Sequence, residues 1–260
     1  MELAHMASGF LVGGVIGMTG VGGGSLMTPI LVLLFGYAPQ TAIGTDLLFA
    51  CVTKIVGWAI HDRHGTVDRQ VLWRLICGSI PAAVITTLYL HGHPSAARGG
   101  GELVVLIGLA IILTGAGLIC KPLLMRRGLV PWPAAQGFFM KYQFLLTVLA
   151  GAIVGVLVSL TSIGAGILGT VALVCLYPVR MKAAHLVGTD ITHAIPLTLV
   201  AGAGHLLIGN VDLVLLATLL AGSIPGIIIG SLVVTRLPDA LVRTTLAAVL
   251  LLVGLKMVLA

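Results

Sequence analysis

The chain is expected to be an all-α polytopic membrane protein built from two copies of one unit, and three observations predict it. Of its 260 residues, 58% are hydrophobic and 8% charged, whereas about a quarter of a soluble domain is charged. The apolar residues form long runs, at about 8–35, 41–60, 70–90, 102–120, 143–177, 185–208, 212–234 and 240–259. Most of these can cross a hydrocarbon core of about 30 Å. Finally, a set of short motifs occurs twice at a nearly constant spacing.

The first run is interrupted at Thr19-Gly20-Val21-Gly22-Gly23-Gly24-Ser25, and the fifth at Thr161-Ser162-Ile163-Gly164-Ala165-Gly166-Ile167, 142 residues later. Glycine this dense frees the backbone, and open backbone inside a membrane is tolerated only where protein or a wet cavity surrounds it. At an offset of 144 residues, Gly44-Thr45-Asp46 matches Gly188-Thr189-Asp190, His61 matches His205, and Val67-Asp68 matches Val211-Asp212. Gly78-Ser79-Ile80-Pro81 matches Gly222-Ser223-Ile224-Pro225 at the same spacing. The repeats are read as residues 1–120 and 142–260, joined by a cytoplasmic linker at 121–141.

Charge chooses between two topologies. If the first run of each half crosses fully, there are eight spans in parallel repeats, and the loop Lys and Arg divide eight to five. If each is a re-entrant hairpin broken at its glycines, Arg63, Arg69, Arg74, Lys121, Arg126, Arg127, Lys141, Arg180, Lys182, Arg236 and Arg243 share one side, leaving Arg98 and Lys256 on the other. That asymmetry is what the positive-inside rule expects, so the prediction is two inverted repeats, each a hairpin plus three transmembrane helices, with both termini outside. Twelve residues on either side of the first glycine cluster would reach about 18 Å, a little past the middle of the membrane. Trp58, Trp73, Tyr89 and Tyr142 lie near segment ends, as interfacial anchors do.

A helix that starts just after each cluster, at Gly24 and at Gly166, would aim unpaired N–H groups at the midplane, which attracts an anion. Gly20, Gly22, Gly23, Gly24, Gly164 and Gly166 let an oxyanion approach the backbone, and Thr19, Ser25, Thr161 and Ser162 add uncharged hydroxyl donors. The competing use of such glycines is tight helix packing. Lys54 lies near the middle of its segment, where a lone ammonium is costly. Asp46 is about 12 Å away along one helix and too far to pair, so Lys54 is assigned as a counter-charge for the anion, with a structural pairing to another helix as the alternative. Its repeat mate is Thr198. Asp46 and Asp190 fit either as N-terminal caps or as proton carriers, and His193 fits protonation coupling or a hydrogen bond across helices. His61 and His205 read as interfacial, Asp68 and Asp212 as caps, and Pro81 and Pro225 as kinks.

Other function classes are disfavoured. Cys51, Cys77, Cys120 and Cys175 show no metal-ligand or CxxC spacing and read as small core residues. No HExxH, GxSxG, paired carboxylates or nucleotide loop is present, so the chain is expected not to be an enzyme and to need no metal or cofactor. The net charge of +6 reports loop placement and gives no reason to expect nucleic acid. Met1 to Ala7 lacks a basic stretch, so the first apolar run is expected to stay in the mature protein. The partners expected are a small anion and the lipid bilayer, with a homodimer left open.

The duplicated unit, the glycine breaks opening each half, the Gly-Thr-Asp motifs and the paired Gly-Ser-Ile-Pro motifs resemble the sulfite exporter TauE/SafE family over essentially the whole chain. The resemblance implies a multi-pass inner-membrane transporter of sulfite, an organosulfonate or a related sulfur-containing anion, driven by the proton gradient. The second glycine motif departs from the first, with Ser162, Ala165 and Ile167 in place of Gly20, Gly23 and Ser25. An anion channel and a membrane-embedded enzyme stand as the alternatives.

Overall fold

The computed structural model describes residues 2–19, 24–61, 67–93, 101–126, 133–164, 166–177, 180–181, 183–233 and 239–259, and every regular element among them is a helix. In chain order these are α1 (Glu2–Thr19), α2 (Gly24–Leu33), α3 (Pro39–His61), α4 (Arg69–Gly92), α5 (Gly101–Arg126), α6 (Pro133–Thr161), α7 (Ile167–Leu176), α8 (Ala183–Ile208), α9 (Leu213–Val233) and α10 (Asp239–Leu259). Arg69–Gly92, Lys141–Thr161, Gly188–Ile208 and Leu213–Gly230 are long and apolar enough to cross a membrane. The molecule is a multi-pass membrane protein.

Small residues set the packing, because in lipid close van der Waals approach replaces the hydrophobic drive between helices. Helix α1 lies on α9, α4 on α6, α5 on α10, and α3 on α8. A Cβ added to Gly78 would land on the Val148 carbonyl, and one added to Gly222 on the Met6 carbonyl. Gly151 meets Leu75 and Gly155 meets Ser79, while Gly9 meets Leu219 and Gly13 meets Ser223. Each contact in one half thus has a counterpart in the other, and the glycine and serine of both Gly-Ser-Ile-Pro motifs are spent on the α4/α6 and α9/α1 seams. Pro81 and Pro225 lie inside α4 and α9, each of which is one continuous helix.

The two ends of each broken run are in contact. In the second half, Gln143 Nε2 near the start of the apolar part of α6 donates to the Leu176 carbonyl at 2.8 Å, and the Thr147 and Tyr177 hydroxyls are 2.8 Å apart. In the first half, the ring of His5 meets those of Phe35 and Tyr37 at 4.5 and 5.7 Å between centroids. The arms differ from the expectation of equal halves. α1 has 18 residues and α2 has 10, lengths of about 27 and 15 Å, and α6 and α7 repeat the imbalance. In the second half the outgoing helix runs to Thr161, and Ser162 to Gly164, ahead of α7, are not helical.

At one end of the bundle Asp68 caps α4, accepting from the N–H groups of Gln70 and Val71, and Arg180 Nε pairs with it at 2.8 Å. At the opposite end Asp212 caps α9 through Val214 and Leu215. The caps are tied across the halves: the Asp68 N–H donates to Thr189 Oγ1 at 2.9 Å, and the Asp212 N–H to Thr45 Oγ1 at 3.1 Å. The threonine of each Gly-Thr-Asp motif therefore fixes where a helix of the other half begins.

Candidate functional site

The second glycine tip is a run of unusual backbone. Ser162, Gly164 and Gly166 have φ of 60°, 106° and 145°, values natural to glycine and strained for serine. Thr161 holds the turn by donating to the Leu157 carbonyl at 2.6 Å and accepting from the Ile163 N–H at 3.1 Å. Gly166 then caps α7 without any side-chain acceptor for its first N–H groups. Thr161, Ser162, Gly164 and Gly166 are all buried. Of the first tip, Gly20, Gly22 and Gly23 lie outside the described residues, as do the side chains of Thr19 and Ser25; Gly24 opens α2.

Both return helices are anchored through carboxylates. Asp46 Oδ2 accepts from Thr28 Oγ1 at 2.5 Å and from the Thr28 N–H at 3.2 Å, joining α3 to α2. Asp190 Oδ2 accepts from Thr170 Oγ1 at 3.1 Å, joining α8 to α7. These aspartates do not cap their own helices, because α3 and α8 begin at Pro39 and Ala183 and place both carboxylates about two turns inside. Gly169 leaves the room that Asp190 needs, since a Cβ there would strike its Oδ1.

Lys54 is 4% exposed, and the acidic groups acting on it are Asp190 first and Asp46 second. The charge that was too far away along α3 alone is complemented across the bundle by the mate of Asp46. One turn back, Cys51 Sγ approaches the Ile195 carbonyl at 3.8 Å, which sets α3 against α8 near their middles. Ser79 of α4 and His193 of α8 meet at 2.8 Å between Oγ and Nε2, at 0% and 1% exposure. At the level where α8 packs on both α3 and α4 thus lie Lys54, His193, Ser79 and Cys51.

Two sequence assignments need correction. His205 is buried, and its Nε2 donates to the Ser159 carbonyl at 2.9 Å, so it ties α8 to α6 inside the bundle and does not sit at an interface. Of the cysteines, Cys51 is buried, but Cys77, Cys120 and Cys175 face outward. The side chain of His61 lies outside the described residues. The sequence reading missed Thr28, Thr170 and Ser79. Thr28 and Thr170 stand at the tips' own 142-residue offset, and Ser79 lies inside a motif already noticed, so the repeat itself carried the signal.

The chain is similar to known membrane proteins along its whole length. The family model described as "Sulfite exporter TauE/SafE" matches residues 5–257. The probable membrane transporter protein YjnA of Bacillus subtilis is 37% identical over 99% of this chain and 100% of its own. YdhB of the same organism, also described as a probable membrane transporter protein, is 26% identical over 91% of this chain and 92% of its own. A probable membrane transporter protein of Xylella fastidiosa is 27% identical over 90% of this chain and 85% of its own. No solved structure matches.

Proposed function

Since the chain belongs to the sulfite exporter TauE/SafE family, we propose that this membrane transporter is a secondary transporter of sulfite, an organosulfonate or a related sulfur-containing anion across the cytoplasmic membrane. It works by alternating access around the buried layer that holds Lys54. The observation that carries the reading is Lys54, a buried cation acted on by the two carboxylates that anchor the return helices. Charge counting gives it a coupling rule. With Lys54 charged and both carboxylates ionised the layer is net negative and repels an anion; with both protonated it is net positive and attracts one. Proton and anion therefore occupy the protein together, with Asp46, Asp190 and His193 as the groups able to carry the proton. Uncapped N–H groups at the start of α7 and the Ser162 hydroxyl supply neutral donors, the Thr161 proton being held by the Leu157 carbonyl.

The membrane arrangement proposed is two inverted repeats, each a re-entrant hairpin and three spans. Its support is the meeting of His5 with Phe35 and of Gln143 with Leu176, which returns each hairpin to the side it came from. The end where α4, α6 and α8 begin is the basic one, hence cytoplasmic. In a cysteine-free background, single cysteines at 62–69 or 236–239 should react only from the cytoplasm, and those at 93–100 or 209–211 only from outside. Cytoplasmic labelling at 36–40 would make the first hairpin a full crossing and sink the inverted arrangement.

Transport is tested in proteoliposomes. Sulfite flux should saturate, should rise when an imposed pH gradient drives protons the same way, and should exceed chloride and acetate flux. Flux that never saturates and ignores the pH gradient would make the protein a channel. Saturable flux that rises only when protons run the opposite way would overturn the charge count.

A further inference from the structure

Ser79 is a buried hydroxyl whose partner is neither its own helix nor a carboxylate. Thr86, Thr87, Thr114, Ser159 and Thr198 each donate to a carbonyl one turn back on their own helix, and Thr28 and Thr170 reach a carboxylate. Ser79 instead reaches across to another helix, its Oγ 2.8 Å from Nε2 of His193. Two proton arrangements are open to this pair. If the ring donates, the Ser79 proton has no acceptor among the described residues, and a stranded buried donor costs as much as a lost hydrogen bond. If Ser79 donates, its proton is satisfied, and the neutral ring must carry its own proton on Nδ1. That nitrogen is buried and has no hydrogen-bond partner among the described residues. The arrangement that satisfies Ser79 thus leaves an N–H on His193 with no acceptor.

The charged neighbour at this level is Lys54. Leu48 faces Gly202 and Cys51 faces Ile195, so α3 and α8 run in opposite directions. Lys54 is three residues beyond Cys51 and His193 two before Ile195, displacements of about 4.5 and 3 Å towards the same end. Asp190 lies one turn from His193 on α8, and α4 brings Ser79 to this level. The Nδ1–H of His193, which has no acceptor among the described residues, and the Lys54 ammonium, on which Asp190 and Asp46 act, stand near one level, where an anion can accept from both.

We propose that Ser79 is a positioning residue that holds His193 as its neutral Nδ1–H tautomer, so that His193 and Lys54 together grip one anionic group bearing two or more acceptor oxygens. The grip rests on the transport reading above; the tautomer does not. While Ser79 donates to Nε2, His193 takes up no proton, which narrows the three candidate carriers named above to Asp46 and Asp190.

The test is nitrogen NMR of the purified full chain with isotope-labelled histidine, the His193 signals being assigned by their loss in His193→Gln. Without added anion, Nδ1 should be protonated and Nε2 not, and sulfite should shift Nδ1 where chloride does not. Ser79→Ala should mix the tautomers and weaken sulfite binding about tenfold, while Ser79→Thr should keep both properties. A protonated Nε2 in the unaltered chain overturns the proposal, as does a Ser79→Ala protein that binds sulfite normally. Should Ser79→Ala not fold, the unaltered chain's ring spectrum and its response to sulfite still decide. If the unaltered chain shows the expected tautomer but binds no sulfite, the transport reading and the grip fail and the positioning role of Ser79 stands.

Discussion

Helices α3 and α8 are repeat mates that pack on each other, and they agree where they carry structure and differ where they could carry chemistry. Both place Gly-Thr-Asp in their second turn; both threonines accept from an N–H of the other half, and both aspartates hold a return helix. Farther along, α3 has Phe49 and Lys54 where α8 has His193 and Thr198. Duplication supplies the frame twice, while the cation and the imidazole are each supplied once. A small anion needs only one cation, and a second lysine in the same dry layer would repel the first.

The largest expected effect comes from breaking the shared frame. Gly78→Leu should cost about 3 kcal/mol or more, because the new side chain must push α4 off the α6 backbone. Gly92→Leu, where a Cβ meets nothing within 4 Å, should be nearly silent. Melting of the purified proteins checks the pair, and equal losses would show that glycine content matters and its place does not.

Next in size is the unshared chemistry. Lys54→Met should weaken sulfite binding between about tenfold and a hundredfold, with Lys54→Arg retaining part of the affinity because the charge persists in a different shape. Thr198→Val, at the matching position, should stay within about threefold. Affinities from ligand-dependent melting would decide it. A Lys54→Met protein that binds normally removes the counter-charge, and one that cannot fold makes the lysine a structural partner of Asp190 and Asp46.

The smallest effect is expected where the two ends of the bundle differ. Arg180 clamps Asp68 and also reaches Gln70 at 2.8 Å, whereas the matching stretch Gly36 to Ala38 offers Asp212 no basic residue. The Arg180 side chain is 45% exposed, so Arg180→Gln should change stability by no more than about 1 kcal/mol. A larger loss in thermal unfolding would give that end a rigidity the other lacks.

Much of this was legible in the sequence because it is written in period and composition. Few charges and long apolar runs require helices in lipid, since a membrane interior leaves the backbone no other partner. The offsets of 142 and 144 residues expose the duplication without any coordinates. Asp68 and Asp212 were readable as caps because a cap acts on its own next turn, a distance the chain itself fixes.

What needed the tertiary structure are the contacts between helices far apart in sequence. Gly-Thr-Asp looks like a helix start when read locally, and only packing shows that its carboxylate serves a different helix and its threonine the other half. Lys54 looks unneutralised along its own helix, yet the carboxylate that acts on it most strongly lies 136 positions on, at Asp190. His205 looked interfacial by its place near a helix end, but α6 covers it. Periodicity fixes which face of a helix is apolar; which partner that face meets, and so which polar group is satisfied, is settled only when the helices pack.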